Sequence, residues 1–319
     1  MAMFLSVVIL GRFTTETHAM ALLRQGPTRR HHLHHSPGRS RARRQAAIER
    51  ALFGLARQWD RVRPVYKPYV DGLENLPSDG RFLLVANHSY TPSSEILLLL
   101  YEVQRHLGRR VRALMDRRFG RFAGLAADVL AAGGGIVGTR EGTAELMRAN
   151  EPILVFPGGA REIGKGKDQL NTLQWGDRAG FARLAIEHNY PIVTAAVVGG
   201  DDMYKILTTS DGTWAQINKK VSRWLGSDAD LLLPLSRGIG PTLLPRPQRL
   251  YARFSRPIDT TRPKGTPHDE WLTKVRETAK TDLESNLAAL LAIRATDPFR
   301  NLAPWAWRKA VMPHPAQDR

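Results

Sequence analysis

The chain has 319 residues, of which 42% are hydrophobic; its 47 Lys and Arg stand against 30 Asp and Glu, a formal net charge of +17, and it has no cysteine. That apolar content supports a sizeable core and excludes a wholly disordered chain. The lack of cysteine excludes a disulfide scaffold, a Cys-ligated zinc or iron–sulfur site and a thiol nucleophile, and no apolar run approaches the ~18–20 residues that span a bilayer.

The charge is unevenly placed. Residues 1–46 hold eight Arg and one acid, Glu16, for +7, which leaves +10 for the remainder. Such a balance admits nucleic acid, anionic lipid or an anionic substrate as partner. Residues 1–45 read as a disordered basic tail, because the Arg-, His-, Pro- and Ser-rich stretch from Arg24 to Arg44 cannot offset its ordering entropy by burial. The His31–His35 tract lacks the carboxylates and fixed geometry of a metal site, so no metal is expected.

From residue 46 the pattern is globular. Ala47 to Trp59 predicts an amphipathic helix, and Val70 to Pro77 a strand running into a turn. Arg81 to Ala86 predicts a short apolar strand ending directly in Asn87-His88, followed by a helix over Ser94 to His106. Strands are expected at Val111–Met115, Gly135–Val137, Pro152–Phe156, Ile192–Val198 and Leu250–Ser255, with helices at Glu141–Ala149 and Phe181–His188. Thr266-Pro267-His268-Asp269 is a helix start, with Thr266 as cap and Pro267 at the first helical position, and that helix runs to about Ile293. Strands alternating with helices predict an α/β domain over 46–295, with one mixed, largely parallel sheet flanked by helices. Residues 296–319 form a Pro- and Trp-containing C-terminal tail.

Two motifs carry candidate chemistry. Asn87-His88-Ser89-Tyr90-Thr91-Pro92-Ser93-Ser94-Glu95 sits where a strand ends and a helix begins, where α/β folds gather ligand-binding groups. His88 there can serve as general base, with Glu95 holding its tautomer if the intervening loop bulges. Phe156-Pro157-Gly158-Gly159-Ala160-Arg161-Glu162 also follows a strand. Its glycines let a ligand approach the backbone, and Arg161 can fork onto an oxygen anion, while Lys165 and Lys167 beyond it read as a solvated basic loop. The stretch from Gly159 to Lys165 has P-loop spacing but is followed by Gly166, not Ser or Thr. Gly133 to Gly138 matches G-x-G-x-x-G in letters only, with a strand inside the motif; Arg140 after it is a candidate anion clamp. The Arg117–Phe122 stretch interleaves Arg and Phe as a stacking platform or a membrane-facing helix would.

Taken together, the blocks at Asn87-His88, Gly135–Arg140, Phe156–Glu162 and Pro191–Val198 resemble the lysophospholipid acyltransferase superfamily, in its monoacylglycerol/diacylglycerol acyltransferase-like branch. The resemblance covers about Pro64 to Ser255 and rests most on Phe-Pro-Gly-Gly-Ala-Arg-Glu. It implies a glycerolipid acyltransferase-like fold and transfer of an acyl group from acyl-CoA or acyl-carrier protein to a lipid hydroxyl. Acyl-CoA would be a co-substrate and no further cofactor is implied. It makes His88 the base and places Arg140 and Arg161 near phosphate or thioester oxygens, with Gly158 and Gly159 lining the substrate site. Two departures stand out. The family's orienting Asp lies five residues after the His, where this chain has Ser93, so Glu95 takes that role. Gly158 stands where phosphate-acceptor enzymes carry Glu, which shifts the expected acceptor toward a neutral acylglycerol or glycolipid. The alternative is an inactive lipid- or anionic-membrane-binding protein on the same scaffold; specific nucleic-acid binding is not expected. The expected location is peripheral, on the cytoplasmic face of a membrane, with contacts from 47–59, 117–122 and 305–308.

Overall fold

The computed structural model describes residues 67–90, 92–115, 135–224 and 234–301. The 1–45 tail, the 47–59 helix, the His tract, the Arg117–Phe122 stretch and the 305–308 contact therefore lie outside the described residues.

In chain order the elements are β1 (Tyr69–Asp71), β2 (Leu83–Ala86), α1 (Pro92–Leu107), β3 (Arg112–Met115), β4 (Gly135–Val137), α2 (Arg140–Arg148), β5 (Ile153–Val155), α3 (Ala160–Ile163), α4 (Gly180–Glu187), β6 (Ile192–Val198), β7 (Lys205–Ile206), α5 (Thr213–Trp224), β8 (Ser236–Arg237), β9 (Tyr251–Phe254) and α6 (His268–Thr296). Seven strands form one sheet in the order β1-β9-β6-β2-β5-β3-β4, and β7 pairs with β8 in a separate ladder. Every pairing in the large sheet is parallel except β6 with β9. This is the expected α/β class, a mixed and mostly parallel sheet between helices.

The two faces follow from strand alternation. Leu83 and Val85 of β2, with Ile192, Ala196 and Val198 of β6, point to one face and pack against α4 and α6. Leu84, Ala86, Val193, Ala195 and Val197 point to the other and meet Leu98, Leu99 and Val103 of α1. The central strands are buried on both faces, which is why β2 and β6 read as continuous apolar runs. On α6, Leu272, Val275, Ala279, Leu283, Leu287 and Leu290 recur at three- and four-residue steps and make its buried stripe.

The start of α6 differs from the expectation. His268 is the first helical residue, Pro267 holds the cap position, and no side chain caps the helix. Proline's fixed φ suits the turn into a helix, so Thr266 is moved one place too far out to cap.

Topology decides where function can sit. β2, β6, β5, β3 and β4 all run one way, so their C-terminal ends share one edge of the sheet. The central strand β2 is followed by Asn87, whose side chain donates to Val197 O (2.9 Å) and accepts from Val197 N (2.8 Å). A side chain thus continues the ladder by one more rung after the strand stops. Asn87→Ala is expected to orphan both Val197 groups and lower stability by about 2–4 kcal/mol in chemical denaturation.

Candidate active site

The loop leaving β2 must satisfy backbone groups that no longer have a ladder partner. It does so with buried charge. Three successive N–H groups each donate to a different carboxylate: His88 N to Glu162 Oε2 (2.7 Å), Ser89 N to Glu95 (2.9 and 2.7 Å to its two oxygens) and Tyr90 N to Asp201 Oδ1 (2.7 Å). The carbonyl of His88 accepts from Lys165 Nζ at 2.7 Å. Lys165 also lies 3.5 Å from Asp201 Oδ2.

Within that frame His88 Nδ1 and Glu95 Oε1 are 2.6 Å apart. Glu95 is wholly buried in the first turn of α1, and the carboxylate fixes Nδ1 as the protonated nitrogen. That contact leaves Nε2 as the ring nitrogen turned away from the acid, the arrangement of an imidazole base held by a carboxylate. The ring stacks on Phe156, with centroids 3.7 Å apart and planes 9° from parallel. Tautomer and ring orientation are therefore both set. The seven-residue spacing works because α1 begins at Pro92 and turns Glu95 back over the loop, and the extra methylene of Glu adds reach over Asp.

The Phe156–Glu162 turn follows β5, the strand beside β2, and its two glycines serve different ends. A Cβ on Gly158 would overlap the carboxyl of Glu162. Gly159 has φ 52°, a conformation that favours glycine, and starts α3. Gly159 N donates to Phe156 O (3.1 Å), so Gly158 is the amide of the pair that this turn does not consume. Arg178 clamps the turn from outside, donating to Pro157 O (2.9 Å) and Gly158 O (2.7 Å).

Glu162 accepts from His88 N and from Gln174 N (2.9 Å), one donor on each oxygen, as an ionised carboxylate does. Burial pushes its pKa above the ordinary carboxylate range, against the pull of the Lys165 ammonium and the two N–H bonds.

The structure separates the remaining expected residues. Arg161 is exposed, with its guanidinium beside Gly176. Arg140 opens α2 after the edge strand β4, three strand spacings or about 14 Å along the sheet from β2. Its Nη2 lies 2.6 Å from Glu187 Oε1 on α4, an exposed ion pair. Lys165 corrects the reading of a solvated basic loop: it is fully buried, because its ammonium is bound by His88 O and faces two carboxylates. That ammonium is not offered to a phosphate, as a P-loop lysine would be. Sequence assigns no role of their own to Glu162 and Asp201. Only Asp201, just beyond the buried run of β6, carried a positional signal there. Among the described residues no group of three or more His, Asp or Glu side chains is placed to hold a metal ion.

The Acyltransferase family model matches residues 67–198, a span that holds β1 to β6 and both motifs. Over that span the chain is similar to the acyltransferase family. Over 251 residues the chain is 30% identical to an uncharacterized protein of Mycobacterium leprae, covering 76% of this chain and 65% of the relative. It is 32% identical over 142 residues to a human DGAT1/2-independent enzyme synthesizing storage lipids, covering 44% of this chain and 42% of that protein. To the chloroplastic phytyl ester synthase 2 of Arabidopsis thaliana it is 27% identical over 250 residues, covering 74% and 36%. The match thus spans less than two thirds of each relative's own length. Within the matched span the His88 and Gly158 motifs follow adjacent parallel strands, β2 and β5.

Lys165→Met is expected to leave Glu162 and Asp201 without their counter-charge and to cost about 3–5 kcal/mol in urea denaturation. Glu162 also sets a pH signature. A carboxyl held above its ordinary 4.5 favours the fold when protonated, so its contribution is full below that pH and fades as pH rises through the folded value. The stability of wild type relative to Glu162→Gln is expected to fall as pH climbs above 4.5, read from paired denaturation curves.

Proposed function

We propose that this domain transfers an acyl group from a thioester donor, acyl-CoA or acyl-carrier protein, to a hydroxyl of a lipid acceptor. The observation that carries the reading is the 2.6 Å pair of His88 Nδ1 and the buried Glu95, beside a glycine turn on the adjacent strand.

His88 Nε2 takes the proton of the acceptor hydroxyl as its oxygen attacks the thioester carbonyl. Glu95 holds the imidazolium that forms. The N–H of Gly158 is the amide of the turn assigned to the oxyanion. The tetrahedral intermediate collapses, the carbon–sulfur bond breaks, and the thiolate leaves with the proton returned through His88. Ester and free thiol are the products, and His88 ends as it began. Arg161, exposed at the head of α3, is assigned to the anionic part of the donor. Arg140 is a weaker candidate for the same task, given its ion pair with Glu187.

A neutral acceptor is favoured by position 158. The side chain that phosphate-acceptor relatives place there has no room here, since Glu162 fills the volume. An anionic headgroup would also meet the carboxylates grouped behind His88. Relatives named for storage lipids and phytyl esters agree with an uncharged product. Work on such an acceptor puts the protein at a membrane surface, for which we assign the cytoplasmic face and peripheral attachment. Among the described residues no helix is long and apolar enough to cross a membrane.

With acyl-CoA and a monoacylglycerol, release of free thiol is expected from wild type. His88→Ala is expected to abolish it with the circular dichroism spectrum unchanged, and near-wild-type transfer by that variant would overturn the assignment. Glu95→Gln is expected to lower kcat by about 10²–10⁴ with a smaller change in KM.

A further inference from the structure

The segment between β6 and β9 is placed by topology. β6 ends at the sheet edge that carries His88. β9 runs antiparallel to it, with Tyr251 opposite Val198, so it starts at that same edge. The described residues 199–224 and 234–250 therefore leave the sheet and rejoin it at that edge. Tyr90, two residues after His88, ties to this excursion by a 2.8 Å bond from its hydroxyl to Ser236 Oγ and by edge-on contact with Tyr204.

This excursion has an unusual surface. Among the described residues, every exposed large hydrophobic side chain lies between Leu207 and Leu244. Leu207 and Leu235 flank the β7–β8 ladder, Trp214 and Ile217 lie one turn apart on α5, and Leu243 is the most exposed at 65%. Across 205–246 six Lys and Arg stand against three Asp. Lys205 and Arg237 are directly opposed across the ladder, both exposed and neither ion-paired with a described residue. Two like charges in register destabilise a ladder unless an anion lies between them. Apolar residues scattered over a whole surface need no explanation, but exposed apolar side chains confined to one excursion, with two opposed cations on its ladder, mark a binding face.

We propose that the described residues 205–217 and 235–244 carry a membrane-docking face: their exposed aliphatic side chains and Trp214 enter an anionic bilayer, Lys205 and Arg237 engage lipid phosphates, and the acceptor lipid reaches His88 directly from the membrane. The delivery step rests on the lipid-acceptor reading above, whereas the docking itself does not. Aliphatic residues for the acyl boundary and cations for the headgroups are the two attractions of interfacial binding. They distinguish this occupant from a purely apolar protein partner.

The cysteine-free chain allows a direct test. In the full chain, Leu243→Cys, Ile217→Cys and Lys264→Cys are each labelled with a polarity-sensitive dye; Lys264 is exposed beyond the opposite edge of the sheet. Phosphatidylcholine vesicles containing phosphatidylglycerol are expected to shift emission to the blue at 243 and 217 but not at 264. Combined Lys205→Glu and Arg237→Glu is expected to weaken vesicle binding about tenfold or more. Leu243→Ser with Ile217→Ser is expected to lose transfer to a vesicle-embedded acceptor while keeping it for a dispersed short-chain one. Vesicle binding with no shift at 243 and 217 overturns the proposal. So does a shift that follows protein concentration without vesicles, which assigns the face to a second copy of the chain. Docking with no transfer to any acceptor refutes the acyltransfer reading alone, whereas transfer to the dispersed acceptor without docking refutes the docking alone.

Discussion

Three backbone N–H groups in a row, at His88, Ser89 and Tyr90, are each held by a buried carboxylate from a different part of the chain. The rest of the site depends on that arrangement. Glu95 comes from α1, Glu162 from α3 and Asp201 from the turn after β6, so one loop fixes the mutual positions of three elements. Burying carboxylates is costly, and the charge-assisted bonds and the Lys165 ammonium offset that cost only while all partners are present. The loop therefore has one conformation or none. In the proposed transfer the ring of His88 gains from such a support, because the imidazole inherits the rigidity of the peptide that carries it.

The same charges work on two scales. Glu95 acts through the ring of His88, fixing which nitrogen is basic. Glu162 and Lys165 act through its main chain, one on the N–H and the other on the C=O. They lie three residues apart across the end of the short helix α3, so both peptide groups of one residue are gripped by a single turn. The glycines before it make this possible: Gly159 supplies the backbone reversal and Gly158 the space into which Glu162 folds.

Much of this is legible in the sequence. β2, β5 and β6 announce themselves as short apolar runs because they are buried on both faces, and the turn residues after β2 and β5 mark the edge where chemistry collects. The link between His88 and Glu95 was legible as a possibility, since a helix start so near could return an acid to the loop. Lys165 was not. In a Gly-rich basic stretch its burial depends on Asp201, thirty-six residues later, and on a carbonyl seventy-seven residues earlier, neither of which local pattern encodes. The β7–β8 ladder was missed for a related reason. Its strands are two residues each, too short to show a period, and their hydrophobic neighbours face outward. Thr266 misled because capping preference is a weak prior beside the geometry imposed by Pro267.

The volume shared by Gly158 and Glu162 has a consequence for how such a site can diverge. Because a side chain at one position would overlap the other, the two residues behave as a single heritable character. A side chain added at either position therefore asks for one removed at the other, so the turn tolerates change in pairs and resists it singly.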